Sequence, residues 1–434
     1  MKAVASSYSP SLVDDICRWG YSFVLVLLIP FAFITLMRRG AFRNKNYNKR
    51  RFELFGIVAH PPKQNGYLFH CVSVGEVVAA SCVIKRIMES EPDTQITITT
   101  TTPTGSARVR SIFGDKVHHF YLPFDLHMAM AGMVKRVKPK AVLITEVELW
   151  PNLIHACWKS AIPVIVVNAR MTDRSARSYK KIGRLFTPML HKVSHVCAQG
   201  ERDFNNYLSL GIDRQKLTLT NNIKFDQVGA TQSKKLPFME LEYGDRQVLV
   251  AGSTHDTEEE AIVNAVQSLR KKGKAVTLVI VPRHPERFDT VAKLLSKMGE
   301  DFVRTSEQES LATAPHTILL DEMGKLNQAY QIANFAFVGG SLADKGGHNA
   351  LEPAAWSIPI MMGPNTYNNP VICEYLKDQG ALSIVANWED IHDKVVSWLE
   401  NPESAIQTGS AGRRVLDDNL GAVELTLEKI TQFV

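Results

Sequence analysis

Short apolar runs alternate with stretches of helical periodicity through most of the 434 residues, and they do so in two series. In the first, GYLFHCVSVGE (66–76) predicts a strand running into a turn, VVAASCVIKRIMES (77–90) a helix, and TQITITTTT (94–102) a second strand that stops at PTGS. AVLITEVELW, IPVIVVNAR, SHVCAQ and KLTLTNN follow as further strands with helical stretches between them. Such alternation argues for parallel sheets covered by helices. From 226 to 247 periodicity fades and polar and breaker residues gather, which marks a domain boundary. QVLVAGST then begins a second series, with TLVIVPRH, TILLD, NFAFVGGS and IPIMMGP as strands that each end at a Gly- or Pro-containing turn. The expected architecture is α/β with two Rossmann-like domains facing a cleft, because open α/β sheets bind ligands at the carboxyl ends of their strands.

One stretch breaks the alternation. Residues 21–37, YSFVLVLLIPFAFITLM, carry no charge and are followed by Arg38, Arg39, Arg43, Lys45, Lys49, Arg50 and Arg51. The run is at the short end of what spans a bilayer, and the basic flank places the rest of the chain on the cytoplasmic side. A cleaved signal peptide would carry its positive charge ahead of the apolar run. A helix lying along the membrane face is the other reading. The expected division is therefore 1–45 as membrane anchor with its basic flank, 46–230 as the first Rossmann-like domain and 246–434 as the second.

Charge sharpens this division. The net charge of +6 hides +15 over residues 38–230 and −9 over 231–434. A basic half beside a membrane suits anionic headgroups or a phosphorylated lipid, at about 1 kcal/mol per surface Lys or Arg. Nucleic acid is not expected, since no helix-turn-helix, zinc-finger or RNP pattern is present. The six cysteines lie far apart without a C-x-x-C pair, which fits a reducing compartment.

Candidate chemistry concentrates at the turns after the strands. In GGSLADKGGHNALEPA (339–354) a glycine-rich loop runs into a short predicted helix, a suitable cradle for a phosphate or sugar-nucleotide, where Glu352 could accept two ribose hydroxyls. Glu76 follows Gly75 at the end of the first strand, within reach of a general base's task. Glu146 and Glu148 flank Val147, so strand alternation would point both to one face. Arg283, next to Pro282, can hold a phosphate in a bidentate way. Arg177, Lys180, Lys181 and Arg184 would share one helical face. His70, His284 and His348 are scattered and no H-E-x-x-H or D-x-D pair occurs, so no metal is expected.

Taken in order, VSVGE (72–76), TTTPTGS (100–106), TEVELWPN (145–152), NARM (168–171), IKFD (223–226), STH (253–255), VPRHPERF (281–288) and GGSLADKGGHNALEPA resemble the blocks of the bacterial Kdo transferases of the lipopolysaccharide inner core. These are GT-B glycosyltransferases, and the resemblance covers nearly the whole chain after the apolar run. It implies inverting transfer of 3-deoxy-D-manno-octulosonic acid (Kdo) from CMP-Kdo to a lipid A precursor at the inner membrane, without a cofactor. It further implies Glu76 as base, with Glu146 and Lys224 assisting the transition state. The donor would be held by Pro282 and Arg283, by Met323, Gly324 and Lys325, and by Asn349, Ala350, Leu351 and Glu352. Two positions depart from the pattern. Lys325 stands where an acidic residue is usual, and Ala350 where proline is common. A GT-B enzyme using a UDP-sugar would keep the same fold. A non-catalytic adaptor on anionic lipid would leave the glycine-rich elements and Glu76 without purpose. The motifs carry no signal for oligomeric state or for the number of Kdo units added.

Overall fold

The computed structural model describes residues 8–38, 45–228, 236–307 and 314–434. Arg39 and Arg43 of the basic flank and residues 229–235 of the predicted boundary lie outside these. Two compact units emerge, one made of the chain up to Gln227 together with Leu420–Val434, the other of Val228–Asn419.

In the first unit β1 (Tyr67–His70), β2 (Ile96–Thr100), β3 (His118–Tyr121), β4 (Ala141–Thr145), β5 (Val164–Ala169), β6 (His195–Ala198) and β7 (Leu217–Leu219) form one sheet in the order β3-β2-β1-β4-β5-β6-β7. Every pairing is parallel. The inner strands are buried along their whole length. This is why they read as unbroken apolar runs rather than alternating ones. Two apolar clusters cover the sheet, one around Leu68, Ile144 and Val166 and one around Phe69, Leu143 and Ile165. Neighbouring strand residues thus feed opposite faces. The chain crosses from β1 to β2 on one side and returns to β4 on the other, so β1 and β4 bound the topological switch point.

The second unit is likewise a sheet of seven parallel strands, but its fourth strand lies between its third and second. β8 (Gln247–Thr254), β9 (Val276–Pro282), β10 (Phe302–Arg304), β11 (Thr317–Leu319), β12 (Phe335–Val338), β13 (Ile360–Met362) and β14 (Leu382–Ile384) are all parallel, in the order β10-β11-β9-β8-β12-β13-β14. Its switch point lies between β8 and β12.

Two departures from the expected division have local causes. Helix Ala422–Thr431, expected in the second domain, packs in the first unit, where Ala422, Val423 and Ile430 join the core beneath β1 and β4. Asp226 caps it from a distance, accepting from the Gly421 and Val423 N–H groups at 2.8 and 2.6 Å. The apolar run belongs to a longer helix, Leu12–Arg38, and groups with the first unit. It starts well ahead of Tyr21 because Ser11 and Asp14 cap each other reciprocally, at 2.9 and 3.2 Å. Its span Leu12–Thr35 is long and apolar enough to cross a membrane.

Candidate active site

The chemistry of the first unit gathers at the carboxyl ends of β1 and β4. Beyond β1 the chain turns through Cys71 and Val72 into helix Val74–Ser90, whose N-cap is Ser73. Glu76, in the first turn and only 7% exposed, folds back on that turn. Its Oε2 accepts the Val72 N–H at 2.8 Å and its Oε1 the Ser73 hydroxyl at 2.9 Å. Burial pushes its carboxyl up to about 7; the Val72 N–H opposes this, and the charges of Glu146 and Glu148 add to it. A carboxyl that titrates near neutrality can take a proton from a hydroxyl and release it again.

Glu146 and Glu148 are not on the strand, as alternation had suggested. β4 ends at Thr145, and Glu146 occupies a left-handed turn at φ 61°. The turn is held by the Glu146 N–H on the Val167 carbonyl at 3.0 Å and by the Arg170 N–H on the Glu146 carbonyl at 3.3 Å. A left-handed glutamate is strained backbone, which persists where the surroundings impose it. Burial, then the charge of Glu146, raises the Glu148 carboxyl. Three carboxylates thus share one electrostatic neighbourhood at the switch point.

Lys224 follows β7 in a turn built by asparagines. Asn168, itself at φ 51° where the β5–β6 register shifts, accepts the Ile223 N–H at 3.1 Å. Asn222 accepts the Lys224 N–H at 3.0 Å and donates to Gln199 at 2.9 Å. The basic stretch 173–184 is interrupted. Helix Asp173–Lys181 ends before Ile182, and Gly183 opens a second helix that carries Arg184. One continuous face is therefore replaced by two, although Arg177, Lys180, Lys181 and Arg184 are all exposed. The charge of Glu148 reaches Tyr179 on the first of these helices, so the basic surface adjoins the carboxylate cluster.

The second unit collects imidazoles, an arginine and backbone N–H groups. His255 follows β8, Arg283 follows β9, and the glycine loop follows β12. His255 and His348 are stacked with ring centroids 5.1 Å apart and their Nε2 atoms 2.8 Å apart, and His284 lies edge-on to His255 at 5.4 Å. Burial pushes His255 and His348 down to about 4, and the charges of Arg283 and the neighbouring histidines push the same way. Such a field favours an anion. Arg283 also acts on Glu352, whose carboxyl is raised by burial and held by Asn349 at 3.3 Å. The short helix Leu351–Ala354 is a single turn, and its first N–H is taken by Asn349 Oδ1 at 3.2 Å. The expected helix-terminus cradle is therefore not formed there.

The loop owes its shape to a residue that sequence reasoning missed. Glu258, wholly buried, accepts the N–H groups of Gly340, Ser341, Leu342 and Ala343 at 2.8–3.2 Å and that of His255 at 2.9 Å. Gly340 needs its φ of 72°, and a Cβ at Gly339 would collide with the Ser253 carbonyl. Met323, Gly324 and Lys325 form the turn after β11, ahead of helix Leu326–Tyr330. That helix is tied to the Glu352 region by the bond from Trp356 Nε1 to Asn327 at 2.9 Å. Pro282 closes β9 and Ala350 precedes the single-turn helix.

Of the histidines that invite a metal, His70 belongs elsewhere. It is buried in the first unit, bonded to Thr99 at 3.0 Å and Trp150 at 3.3 Å, and burial pushes it down to about 4. Among the described residues no group of three or more His, Cys, Asp or Glu is set to hold a metal ion.

Comparison with known proteins adds the chemistry's context. A family profile described as 3-Deoxy-D-manno-octulosonic-acid transferase (kdotransferase) matches residues 49–227. A 3-deoxy-D-manno-octulosonic acid transferase of Haemophilus influenzae is 37% identical over 96% of this chain and 99% of its own length. One from Chlamydophila psittaci is 28% identical over 84% of each chain. Among solved structures, UDP-GlcNAc 2-epimerase from Neisseria meningitidis is 15% identical with a TM-score of 0.55, covering 85% of this chain and 100% of that one. This last likeness is one of fold alone.

Proposed function

Because the chain belongs to the 3-deoxy-D-manno-octulosonic acid transferase family, and is thus a GT-B glycosyltransferase, we propose that it moves Kdo from CMP-Kdo to a tetraacylated disaccharide precursor of lipid A, lipid IVA. In this reading Glu76 takes the proton of the acceptor hydroxyl as its oxygen bonds to the anomeric carbon of Kdo. The bond from that carbon to the CMP phosphate breaks on the opposite face, giving inversion and free CMP. The observation that carries this reading is the Glu76 carboxyl, raised to about 7 at the switch point of the first sheet.

Glu146 and Lys224 assist the transition state, the lysine by offsetting the negative charge that develops as CMP departs. Arg283, the His255–His284–His348 cluster and the loop 339–349 receive the anionic donor, with Pro282, Met323, Gly324, Lys325, Asn349, Ala350, Leu351 and Glu352 shaping the nucleotide site. A single phosphate on the leaving group, met by Arg283, calls for no cation, so the reaction is metal-independent. The exposed basic residues at 177–184 meet the phosphates of the lipid. The apolar helix holds the protein at the cytoplasmic face of the inner membrane, beside its lipid acceptor.

Mass spectrometry of the products formed from CMP-Kdo and a tetraacylated lipid A precursor tests the reading, run for the native protein and for Glu76→Ala. Kdo addition by the native protein alone is expected. No addition by the native protein, with UDP outcompeting CMP in binding, would point to a UDP-sugar donor; equal addition by both would remove Glu76 from the mechanism.

A further inference from the structure

Helix Leu12–Arg38 shields one stripe along nearly its whole length. Asp14, Arg18, Tyr21, Leu25, Ile29 and Phe33 are buried or half-buried, spaced every three or four residues as one face of a helix requires. The opposite faces expose Trp19, Phe23, Val26, Leu27, Phe31 and Ile34. The shielded stripe lies on the first unit. Arg18, 5% exposed, donates to Asn152 at 3.1 Å and contacts His127 at 3.2 Å, while Asn152 donates to Ser22 at 2.9 Å. Asn152 is itself fixed by Asp125, which accepts its N–H at 2.9 Å and also bonds Tyr21. Farther along, Phe33 meets Phe55 with ring centroids 5.9 Å apart, and Phe55 meets Phe124 at 5.7 Å.

This arrangement is incompatible with a span. Asn152 and Phe55 belong to the chain that follows the helix, so both ends of the apolar stretch are held on the same side. Between Ser22 and Phe33 the helix rises only about 16 Å, half of the roughly 30 Å hydrocarbon core. In a spanning helix Arg18 would lose Asn152 and need other partners. The exposed face continues onto the unit itself. Phe52, Phe55 and Met128 are exposed beside it, the last next to His127, which packs on Trp19 at 4.9 Å. Exposed Lys49, and Arg51 over the Phe52 ring at 5.0 Å, supply cations at the edge of the patch. An apolar surface bordered by cations and a tryptophan complements an anionic bilayer interface.

We infer that the helix lies in the plane of the membrane, its Arg18 side fixed to the protein and its Phe23–Leu27–Phe31 side sunk into an anionic phospholipid surface, and does not cross the bilayer. The inference rests on the membrane location proposed above. Its consequence is a fixed distance and orientation of the first sheet relative to the leaflet that carries a lipid acceptor.

The test uses the full chain with Cys17→Ser and Cys82→Ser, which leaves the four buried cysteines, and adds either Ser9→Cys or, as a reference on the second unit, Ser296→Cys. A membrane-impermeant maleimide is applied to inside-out and right-side-out membrane vesicles. Both positions are expected to label in inside-out vesicles and neither in right-side-out ones. Labelling of Ser9→Cys confined to right-side-out vesicles would overturn the in-plane helix while leaving the membrane location standing. In parallel, purified Phe23→Glu/Leu27→Glu is expected to keep the native Tm and to partition onto phosphatidylglycerol vesicles roughly a hundredfold less than the native protein. Equal partitioning of the two would overturn the assigned face. A native protein that ignores vesicles and self-associates through this face would overturn both the inference and the membrane location.

Discussion

Each unit places a glutamate in the first turn of the helix that follows its first strand, and the two have opposite surroundings. Glu76, after β1, receives one backbone N–H and one hydroxyl, stands near two other carboxylates, and is pushed up to about 7. Glu258, after β8, receives five backbone N–H groups and is wholly enclosed. The same position after the first strand of a parallel sheet holds a sparsely bonded carboxyl with a raised pKa in one unit and a fully bonded structural staple in the other. What differs is the number of donors supplied by the neighbouring strand's loop. The sparse turn after β4 contributes Glu146 and Glu148, whereas the glycine loop after β12 turns four N–H groups inward. Local charge also opposes bulk charge, since the basic first half has an acidic switch point and the acidic second half a cationic one. Fold supplies the position, and the loops at the strand ends supply the chemistry.

The comparison breaks most sharply at Glu76. Glu76→Gln should lower kcat by about 10²–10⁴-fold and leave the KM for CMP-Kdo unchanged; steady-state kinetics showing a loss confined to KM would remove its role as base. The native kcat/KM should rise with pH through about 7, as the carboxyl ionises. Stability should run the other way. A carboxyl that titrates near 7 when folded, against 4.5 ordinarily, gives a stabilisation fully present below about 4.5 and lost as pH rises through 7. Thermal melts should therefore show Glu76→Gln gaining Tm relative to native at pH 8 and gaining none at pH 4.

Glu258 should fail in the other manner. Glu258→Gln retains one acceptor oxygen but aims an amide N–H₂ at N–H groups, a cost of about 2–4 kcal/mol. In a unit of this size that is a Tm fall of roughly 5–15 °C. Hydrogen exchange should speed up at Gly340–Ala343 and leave β1 and β4 untouched. Faster exchange in the first sheet as well would mean that the two glutamates are not the separate local devices described above.

Much of this arrangement was legible in the sequence, and the exceptions share a cause. The long inner strands appear as apolar runs because both faces of a parallel sheet are covered. The edge strands His118–Tyr121, Phe302–Arg304 and Leu382–Ile384 gave no such run, being three or four residues long and partly polar. Glu76 was legible as a carboxylate just beyond the first strand, although Gly75 and Glu76 belong to the first turn of the following helix and not to the strand-end turn that was expected. Glu258 was not, because it opens an acidic triplet, Glu258–Glu260, of the kind any helix N-terminus favours. A usable signal was its spacing, three residues after His255, matching that of Glu76 after Ser73. Asp226 and its distant helix cap depend on a contact almost two hundred residues away along the chain, which no local pattern reports. The left-handed Glu146 was likewise hidden, since nothing in TEVELW disfavours a strand.

Arg283 sharpens the contrast at intermediate scale. Its field pushes down His348 and opposes the rise of Glu352, so it is a charge common to both groups. Arg283→Ala should raise the KM for CMP-Kdo roughly 10–100-fold, as loss of hydrogen bonds to a charged phosphate does, with a far smaller effect on acceptor KM. Equal changes in the two constants would detach Arg283 from the donor.

The smallest effect lies with the exposed basic residues of the first unit. Each of Arg177, Lys180, Lys181 and Arg184 is solvated, so its attraction for a lipid phosphate is about 1 kcal/mol or less. Arg177→Gln alone should raise the acceptor KM only about two- to fivefold, and the effect should shrink with added salt as exposed charges are screened. Reversing three of these charges to glutamate should raise acceptor KM much more than donor KM. Because Arg184 sits on its own helix beyond the break at Ile182, Arg184→Gln need not follow the other three. A change in acceptor KM matching that of Arg177→Gln would mean the lipid's phosphates meet both helices, and no change would confine the contact to Asp173–Lys181. Equal rises in donor and acceptor KM for the triple variant would show that the first unit's positive charge does not sort acceptor from donor, and that the division of labour rests on the strand-end groups alone.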